Sequence, residues 1–296
     1  VDDFSFGRVG IWTRELDRLP MAQSQAAAVE LEALGYATLW LPEVIGREPL
    51  TSSALLLSAT EHLIVGTGVM NIHARSATAA SAGWRTLTEA FPERFVMGLG
   101  VSLPAIVEGM HGRPYGKPYT AMVEYLDALE TATFVAKRPS TPLRLVLAAL
   151  RPRLMRLAAE RGLGALAYFV PVEHTDWARG VLGGDGRLLI EQAVVLDADA
   201  DRARETARRH MATYLALPTY TDHLRDLGWG DEDLSGPSDR LVDAIVAWGD
   251  VDAIAARVRD HLAAGADHVA LQVVCADPRA VPLEEWRLLA EAVTGV

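Results

Sequence analysis

The sequence predicts an α/β protein, a (β/α)8 TIM barrel with an insertion after strand seven. Three observations carry this. Short, β-rich apolar runs alternate with longer helix-suited segments along the chain, the pattern of a parallel sheet. Eight such units can be counted, which favours closure into a barrel. The 296 residues, half of them hydrophobic, suit such a barrel as one domain over 1–296, with 219–250 as the insertion. An open doubly wound sheet is the alternative. Against it, no G-x-G-x-x-G follows the first strand with an acidic residue about 20 positions on.

The elements follow in order. Val9–Trp12 reads as the first strand. Met21–Leu34 is an alanine-rich helix stopped by Gly35. Tyr36–Leu41 is a continuous apolar run, as a strand buried on both faces should be, and Pro42 ends it. Thr51–Thr60 reads as a helix with a Thr/Ser cap. Leu63–Val65 and Phe95–Leu99 are strands, each running into a glycine-rich turn, and the helix Ser76–Phe91 supplies the crossover that a parallel pair needs. Both turns then meet at one edge of the sheet, where glycine lets the backbone approach a ligand. The segment 103–118, LPAIVEGMHGRPYGKP, is too long to be a plain connection and suits a lid.

Tyr119–Ala136 resumes helix, Leu143–Ala149 is the fifth strand, and Arg151–Arg161 is a basic helix with Pro152 in its first turn. Ala165–Val170 is the sixth strand, followed by the helix Glu173–Leu182. Leu188–Leu196 is the seventh strand. The helix Asp199–Leu217 starts on acids that its dipole favours. Thr219 to Trp248 reads as short helices and turns, acidic around Asp231–Asp233. Val251–Ala264 is helical, His268–Val274 is the eighth strand, and Pro282–Val293 closes the chain as a helix.

The net charge of −11 and pI near 5.2 argue against nucleic acid or an anionic membrane surface as partner. The single cysteine, Cys275, excludes an intrachain disulfide framework or a thiolate metal cluster. No apolar run is long enough to span a membrane, and no window resembles a signal peptide, so a reducing cytoplasm is expected. The eight histidines lack metal-ligand spacing, so no metal site is argued, and His174 and His268 read as structural.

Five motifs carry a family resemblance: LWLPE at 39–43, VGTGVMN at 65–71, FPERFVMGLGVS at 91–102, VLAALRPRLMRLAAERG at 146–162 and AGADHVALQVV at 264–274. Each alone is loose; their order and separation are specific. The chain resembles the bacterial luciferase-like superfamily, and within it the F420-dependent oxidoreductases. The resemblance implies hydride transfer between coenzyme F420 and a small organic substrate, with the cofactor at the carboxyl ends of the strands. It also implies a non-proline cis peptide at Gly68–Val69 behind the deazaflavin ring, and a homodimer. An FMN-dependent luciferase-like monooxygenase is one alternative. A barrel that binds a ligand without catalysis is the other.

The cofactor residues that the resemblance implies are Gly68, Val69 and Asn71 at the third strand, Gly100, Val101 and Ser102 at the fourth, and Ala149 and Arg151 at the phosphate turn. There Leu150 and Arg151 stand where relatives have glycines, although a helix N-terminus remains a natural anion site and Arg151 or Arg153 adds charge. Glu43 ends the second strand and is a candidate acid/base or ring contact, equally suited to a salt bridge with Arg47. His73 and Arg75 lie at the mouth of strand three, and His73 is the second catalytic candidate. Trp12 reads as an apolar wall or a core residue. His111, Arg113, Tyr115 and Tyr119 belong to the lid region. Val44 and Leu103 occupy positions that are histidine and glutamate in sugar-phosphate-oxidising relatives, so that subgroup's substrate does not carry over.

Overall fold

The computed structural model describes residues 5–296. Eight parallel strands form a closed ring: β1 (Val9–Trp12), β2 (Thr38–Leu41), β3 (Ile64–Thr67), β4 (Phe95–Gly100), β5 (Arg144–Ala148), β6 (Gly164–Ala167), β7 (Leu188–Leu196) and β8 (His268–Val273). Each pairs with the next, and β8 pairs with both β7 and β1, which closes the barrel. Two short strands extend the rim: Met70–Asn71 beside β4, and Ala247–Gly249 beside β7. The (β/α)8 reading therefore holds.

Side chains alternate across the ring as a pleated strand requires. One interior cluster takes a residue from every strand: Trp12, Trp40, Ile64, Val96, Val146, Leu166, Leu189 and Ala270, with Phe6 below them. The outward residues, among them Ile11, Leu39, Val65, Met97 and Leu271, pack against the helices. Trp40 is wholly buried, and it fits because β3 has Gly66 opposite, where a Cβ would stand 2.4 Å from the indole. The Trp40 indole N–H donates to His268 Nε2 at 3.0 Å, and His268 Nδ1 meets the Gly7 carbonyl at 2.8 Å. Both ring nitrogens are thus used by a neutral imidazole, and burial lowers the His268 pKa to about 4. His268 is structural, as its sequence context suggested.

Several boundaries differ from expectation for local reasons. The helix after β2 runs Pro49–Leu57 and is capped by the Glu48 carboxylate on Thr51 N–H at 2.7 Å, so neither Thr nor Ser is the cap. The helix expected to reach Ala136 ends at Glu130, where Thr131, Thr133 and Val135 bring β-branched residues that suit helix poorly. Strand β6 stops at Ala167, and Phe169 takes a left-handed φ of 60°. The segment 103–118 contains a helix, Pro104–Gly109.

After β7 the helix Ala200–Leu215, capped by Asp199 on Arg202 N–H, leads into three shorter helices, Pro218–Asp226, Asp231–Leu234 and Asp239–Ile245. These elements share their own apolar cluster, with Met211, Leu224, Leu241 and Ile245 against Ala193 and Val195 of β7. Among the described residues no helix is long and apolar enough to cross a membrane.

Candidate functional site: a cavity over a strand bulge

The site begins with a register change. Gly66 pairs with Val96, and Met70 pairs with Leu99. Four residues on one strand therefore oppose three on the other, a β-bulge. Its peptide Gly68–Val69 is cis. Backbone bonds hold the bulge on both sides: Gly68 N–H donates to the Leu41 carbonyl at 2.8 Å, and Glu43 N–H to the Val69 carbonyl at 3.3 Å. From the barrel interior the Trp12 indole N–H donates to the Gly68 carbonyl at 2.6 Å. The Thr67 hydroxyl donates to the Gly98 carbonyl at 2.9 Å and accepts Gly98 N–H at 2.7 Å.

The glycines of β4 serve this bulge. A Cβ on Gly98 would stand 2.0 Å from the Thr67 carbonyl oxygen, and one on Gly100 would stand 2.6 Å from Val69 Cγ2. The β4 glycines therefore serve a neighbouring strand as well as the strand-end edge. Gly98 lets the bulged backbone come close, and Gly100 makes room for the Val69 isopropyl group. The ledge is a floor of strand ends carpeted by that side chain.

Above it opens a cavity of about 310 Å³, lined by Trp12, Gly68, Val69, Gly100, Ala148 and Leu166 at the strand ends, by Val44, Leu103 and Ile106, and by Tyr168, Tyr214 and Tyr220. Of the residues singled out from sequence, Gly68, Val69, Asn71, Gly100, Ser102 and Glu43 all line it. Val101, Ala149, Arg151 and His73 do not. Val101 and Ala149 face the outer core, the alternation consequence of standing one residue from Gly100 and Ala148. Ser102 has a left-handed φ of 58°, and its carbonyl accepts the Tyr115 hydroxyl at 2.9 Å, which ties the loop after β4 to the strand end.

Glu43 is ion-paired, and its partner is Arg75 rather than Arg47. Its Oε2 accepts Asn71 N–H at 2.8 Å and Arg75 Nη1 at 2.9 Å, and its Oε1 is bonded by Arg75 Nη2. Arg75 also reaches Glu48 at 3.2 Å. Burial alone would depress the Arg75 pKa, but the hydrogen bond to Glu43 and the charges of Glu43 and Glu48 outweigh it and raise the value. Arg47 turns the other way, onto the carbonyls of Leu16 and Leu19 and the Ser24 hydroxyl. His73 sits behind the rim, its ring 6.0 Å from that of Tyr115 and its Nε2 without a partner. Burial, then the charges of Arg113 and His111, lower its pKa.

At the turn after β5, Arg151 precedes the helix Pro152–Glu160, whose start has no side-chain cap. The guanidinium is bonded to Asp226, from the helix Pro218–Asp226. Arg153 lies over the Tyr119 ring at 4.3 Å. The next helix contributes His174, whose Nε2 meets the Leu150 carbonyl at 3.1 Å.

The tyrosine wall escaped the sequence reading. Tyr168 stands just beyond β6, and its hydroxyl donates to Gln272 Oε1 at 2.6 Å and lies 2.5 Å from the Tyr214 hydroxyl. Its ring is 5.3 Å from that of Trp12. Behind this wall Glu191 of β7 is buried; its Oε2 accepts Phe169 N–H at 3.1 Å and its Oε1 has no partner. Burial raises the Glu191 pKa to about 8 against the lowering effect of that bond, so the carboxyl is mostly protonated at neutral pH. The sequence reading places Tyr168 inside the strand Ala165–Val170, whereas the strand ends at Ala167 and leaves Tyr168 at the mouth. That the helix Ala200–Leu215 would bring Tyr214 over the same mouth was not visible in the sequence.

With the barrel and its mouth defined, the comparisons fix the class. A family model, luciferase-like monooxygenase, matches residues 8–268. The chain belongs to the luciferase-like monooxygenase family, a family of oxidoreductases.

Among curated relatives, a Mycobacterium tuberculosis protein named "Putative coenzyme F420-dependent oxidoreductase" is 35% identical over 96 residues, covering 32% of this chain and only 28% of that protein's length. Among solved structures, an F420-dependent secondary alcohol dehydrogenase in complex with an F420–acetone adduct aligns with a TM-score of 0.76 at 13% identity, covering 97% of this chain and 99% of the other. The oxygenating constituent of 3,6-diketocamphane monooxygenase from Pseudomonas putida, in complex with FMN, aligns with a TM-score of 0.74 at 14% identity, covering 98% of each chain. At these identities the structures share a fold with this chain.

Proposed function

We propose that this chain transfers hydride between coenzyme F420 and a small organic substrate. The observation that carries the reading is the cavity over the bulge. It is wide, mainly apolar and floored by Gly68, Val69 and Gly100 at the carboxyl ends of β3 and β4, where parallel barrels carry their chemistry. Its volume lies at the lower end of ligand pockets and suits a planar ring. An F420-dependent relative over part of the chain and an F420-dependent neighbour in fold point the same way.

The ring portion fits these residues; the phosphate portion fits less simply. The uncapped N-terminus of Pro152–Glu160 offers free backbone N–H groups, but Arg151 would have to leave Asp226. That pair is exposed on both sides, so its release costs little. The bound cofactor supplies the hydride chemistry. The chain's residues do the rest. Val69 and Gly100 set the plane of the ring. Glu43, fixed by Arg75, holds the Asn71 backbone at the rim. Leu103, Ile106 and Val44 line the cavity and exclude water. Tyr168 and Tyr214 place hydroxyl groups in its lining, where a substrate oxygen needs orientation.

An FMN-dependent monooxygenase is the second reading, favoured by the family's own description and by the FMN-bound neighbour. A fluorescence titration of purified protein with F420 and FMN side by side tests both. Quenching of F420 at micromolar protein is expected. FMN binding without F420 binding would overturn the first reading, and binding of neither would favour a barrel without this chemistry.

A further inference from the structure

A second cavity, of about 200 Å³, lies beside the first, between the ends of β8 and β1 and the helix Ala200–Leu215. Arg14, Thr213 and Tyr214 line both. The partition is the hydrogen-bonded chain already described, with Tyr168 facing the ring cavity, Gln272 facing the second, and Tyr214 facing both.

The polar groups around this second cavity are unbalanced. Gln272 has given its oxygen to Tyr168, and its NH2 group has no bond among the described residues. Among the described residues the Arg14 side chain has one bond, from Nε to Glu15 Oε1 at 3.4 Å, and neither terminal nitrogen is engaged. Arg209 uses one terminal nitrogen, on the neutral Thr206 hydroxyl at 3.0 Å. His210 Nε2 is buried without a partner.

The acceptors are largely spent. Glu15 Oε2 takes the Thr13 hydroxyl at 2.8 Å and Arg14 N–H at 3.1 Å, while its Oε1 faces Arg14 Nε. Asp277 Oδ1 takes Arg279 N–H at 2.9 Å, which leaves Asp277 Oδ2, among the described residues, as the one carboxylate oxygen lining the cavity that carries no bond. Arg14 and Arg209 are exposed, so their guanidinium groups meet solvent at the cavity, whereas Gln272 is buried; a surplus of N–H donors calls for an acceptor-rich guest. Arginine forks match carboxylates in shape as well as charge.

We propose that this cavity binds a small oxo or hydroxy acid, its carboxylate on the Arg14 and Arg209 side and its carbonyl or hydroxyl oxygen toward Tyr214 and the ring. The volume matches roughly six or seven waters, enough for a molecule of pyruvate's size. As a ligand site it stands on its own donors and acceptors. That its occupant is the substrate rests on the ring reading, since a cavity of about 310 Å³ leaves little space beside three fused rings.

Calorimetric titration of the full-length protein with pyruvate, and with acetone as its neutral counterpart, tests the proposal. Pyruvate should bind at one site per chain, with acetone at least tenfold weaker. Arg14→Met and Arg209→Met should each weaken pyruvate by tenfold or more while melting within a few degrees of the parent. Equal binding of acetone and pyruvate, unchanged pyruvate affinity in both variants, or no pyruvate heat up to 100 mM would overturn it. F420 and FMN titrations run in parallel separate the two readings. Pyruvate binding without either cofactor keeps the acid site and removes the ring reading, and the reverse outcome removes the acid site alone.

Discussion

The bulge makes a sharp demand on Gly98. Adding one methyl group there puts a carbon 2.0 Å from the Thr67 carbonyl oxygen and 3.0 Å from Val69 Cγ1. The oxygen belongs to backbone, so it cannot rotate away as a side chain would. The bulge must retreat by about 1 Å or more to restore contact distance. That movement stretches both bonds between the Thr67 hydroxyl and the Gly98 peptide. Overpacking of a close-packed site costs about 1–3 kcal/mol, and each buried hydrogen bond lost adds about 1 kcal/mol. Gly98→Ala should therefore destabilise the protein by roughly 2–5 kcal/mol, the upper end if both bonds are lost, against a total of roughly 5–15 kcal/mol. Gly109→Ala is the control, because nothing lies within 4 Å of a Cβ at that position, and alanine there should be neutral or slightly stabilising.

Urea unfolding followed by circular dichroism measures both variants. A cofactor titration on folded Gly98→Ala then reads the floor, where weaker ring binding is expected. If Gly98→Ala unfolds with the parent, or binds the ring as tightly, the account of β4 as a seat for the bulge is wrong.

Arg75→Met removes the partner of a carboxylate whose side chain is only 15% exposed. It should cost about 1–3 kcal/mol in urea unfolding, and adding Glu43→Gln should recover part of it; no recovery would mean that Arg75 acts through something other than the pair. His174, His261 and His268 have folded pKa values lowered to about 4, 3 and 4, burial being the main cause in each. A depressed histidine pKa means that the unfolded chain binds more protons, so stability is full above about pH 6.5 and falls as the pH drops toward 4. Urea midpoints at pH 7.5 and 5.5 should show this loss, and equal midpoints would refute it. Glu191 has the opposite sign: its raised value makes it destabilising as the pH rises from about 4.5 to 8. Glu191→Gln, which keeps an acceptor for Phe169 N–H, should therefore match or exceed the parent's melting temperature at pH 8.5. Asp226→Asn frees Arg151 from its exposed partner and should tighten binding of a phosphate-bearing cofactor a few-fold in the fluorescence titration.

The barrel was legible because its signals are local and repeated. Strand β7 matches the sequence boundaries, and the helices expected to start at Ser76 and Asp199 have those residues as their N-caps. Of the strand-end residues that line the cavity, Gly68 and Gly100 were legible as glycines after apolar runs, while Asn71 and Ser102 came through the family resemblance. Pairings over distance were harder. Glu43 had Arg47 four residues away and Arg75 thirty-two away; which one it met depended on where the bulge turned the chain. Charge on Arg151 was visible, but its cancellation by Asp226 required the fold of the segment after the helix Ala200–Leu215. Glycine was ambiguous in kind. At 98 and 100 the sequence says only that no side chain is present, and the neighbour that uses the space proved to be another strand.

Because the Trp12 indole bonds the Gly68 carbonyl from inside the barrel, the floor of the cavity and the plug of the barrel share atoms. A substitution that reshapes the floor also disturbs the packing of all eight strands. Diversification for a new substrate has freer material elsewhere: Thr213, Leu217 and Tyr220 border the same chamber from helices outside the ring of strands. Libraries aimed at altered selectivity should leave the base alone and vary that overhang.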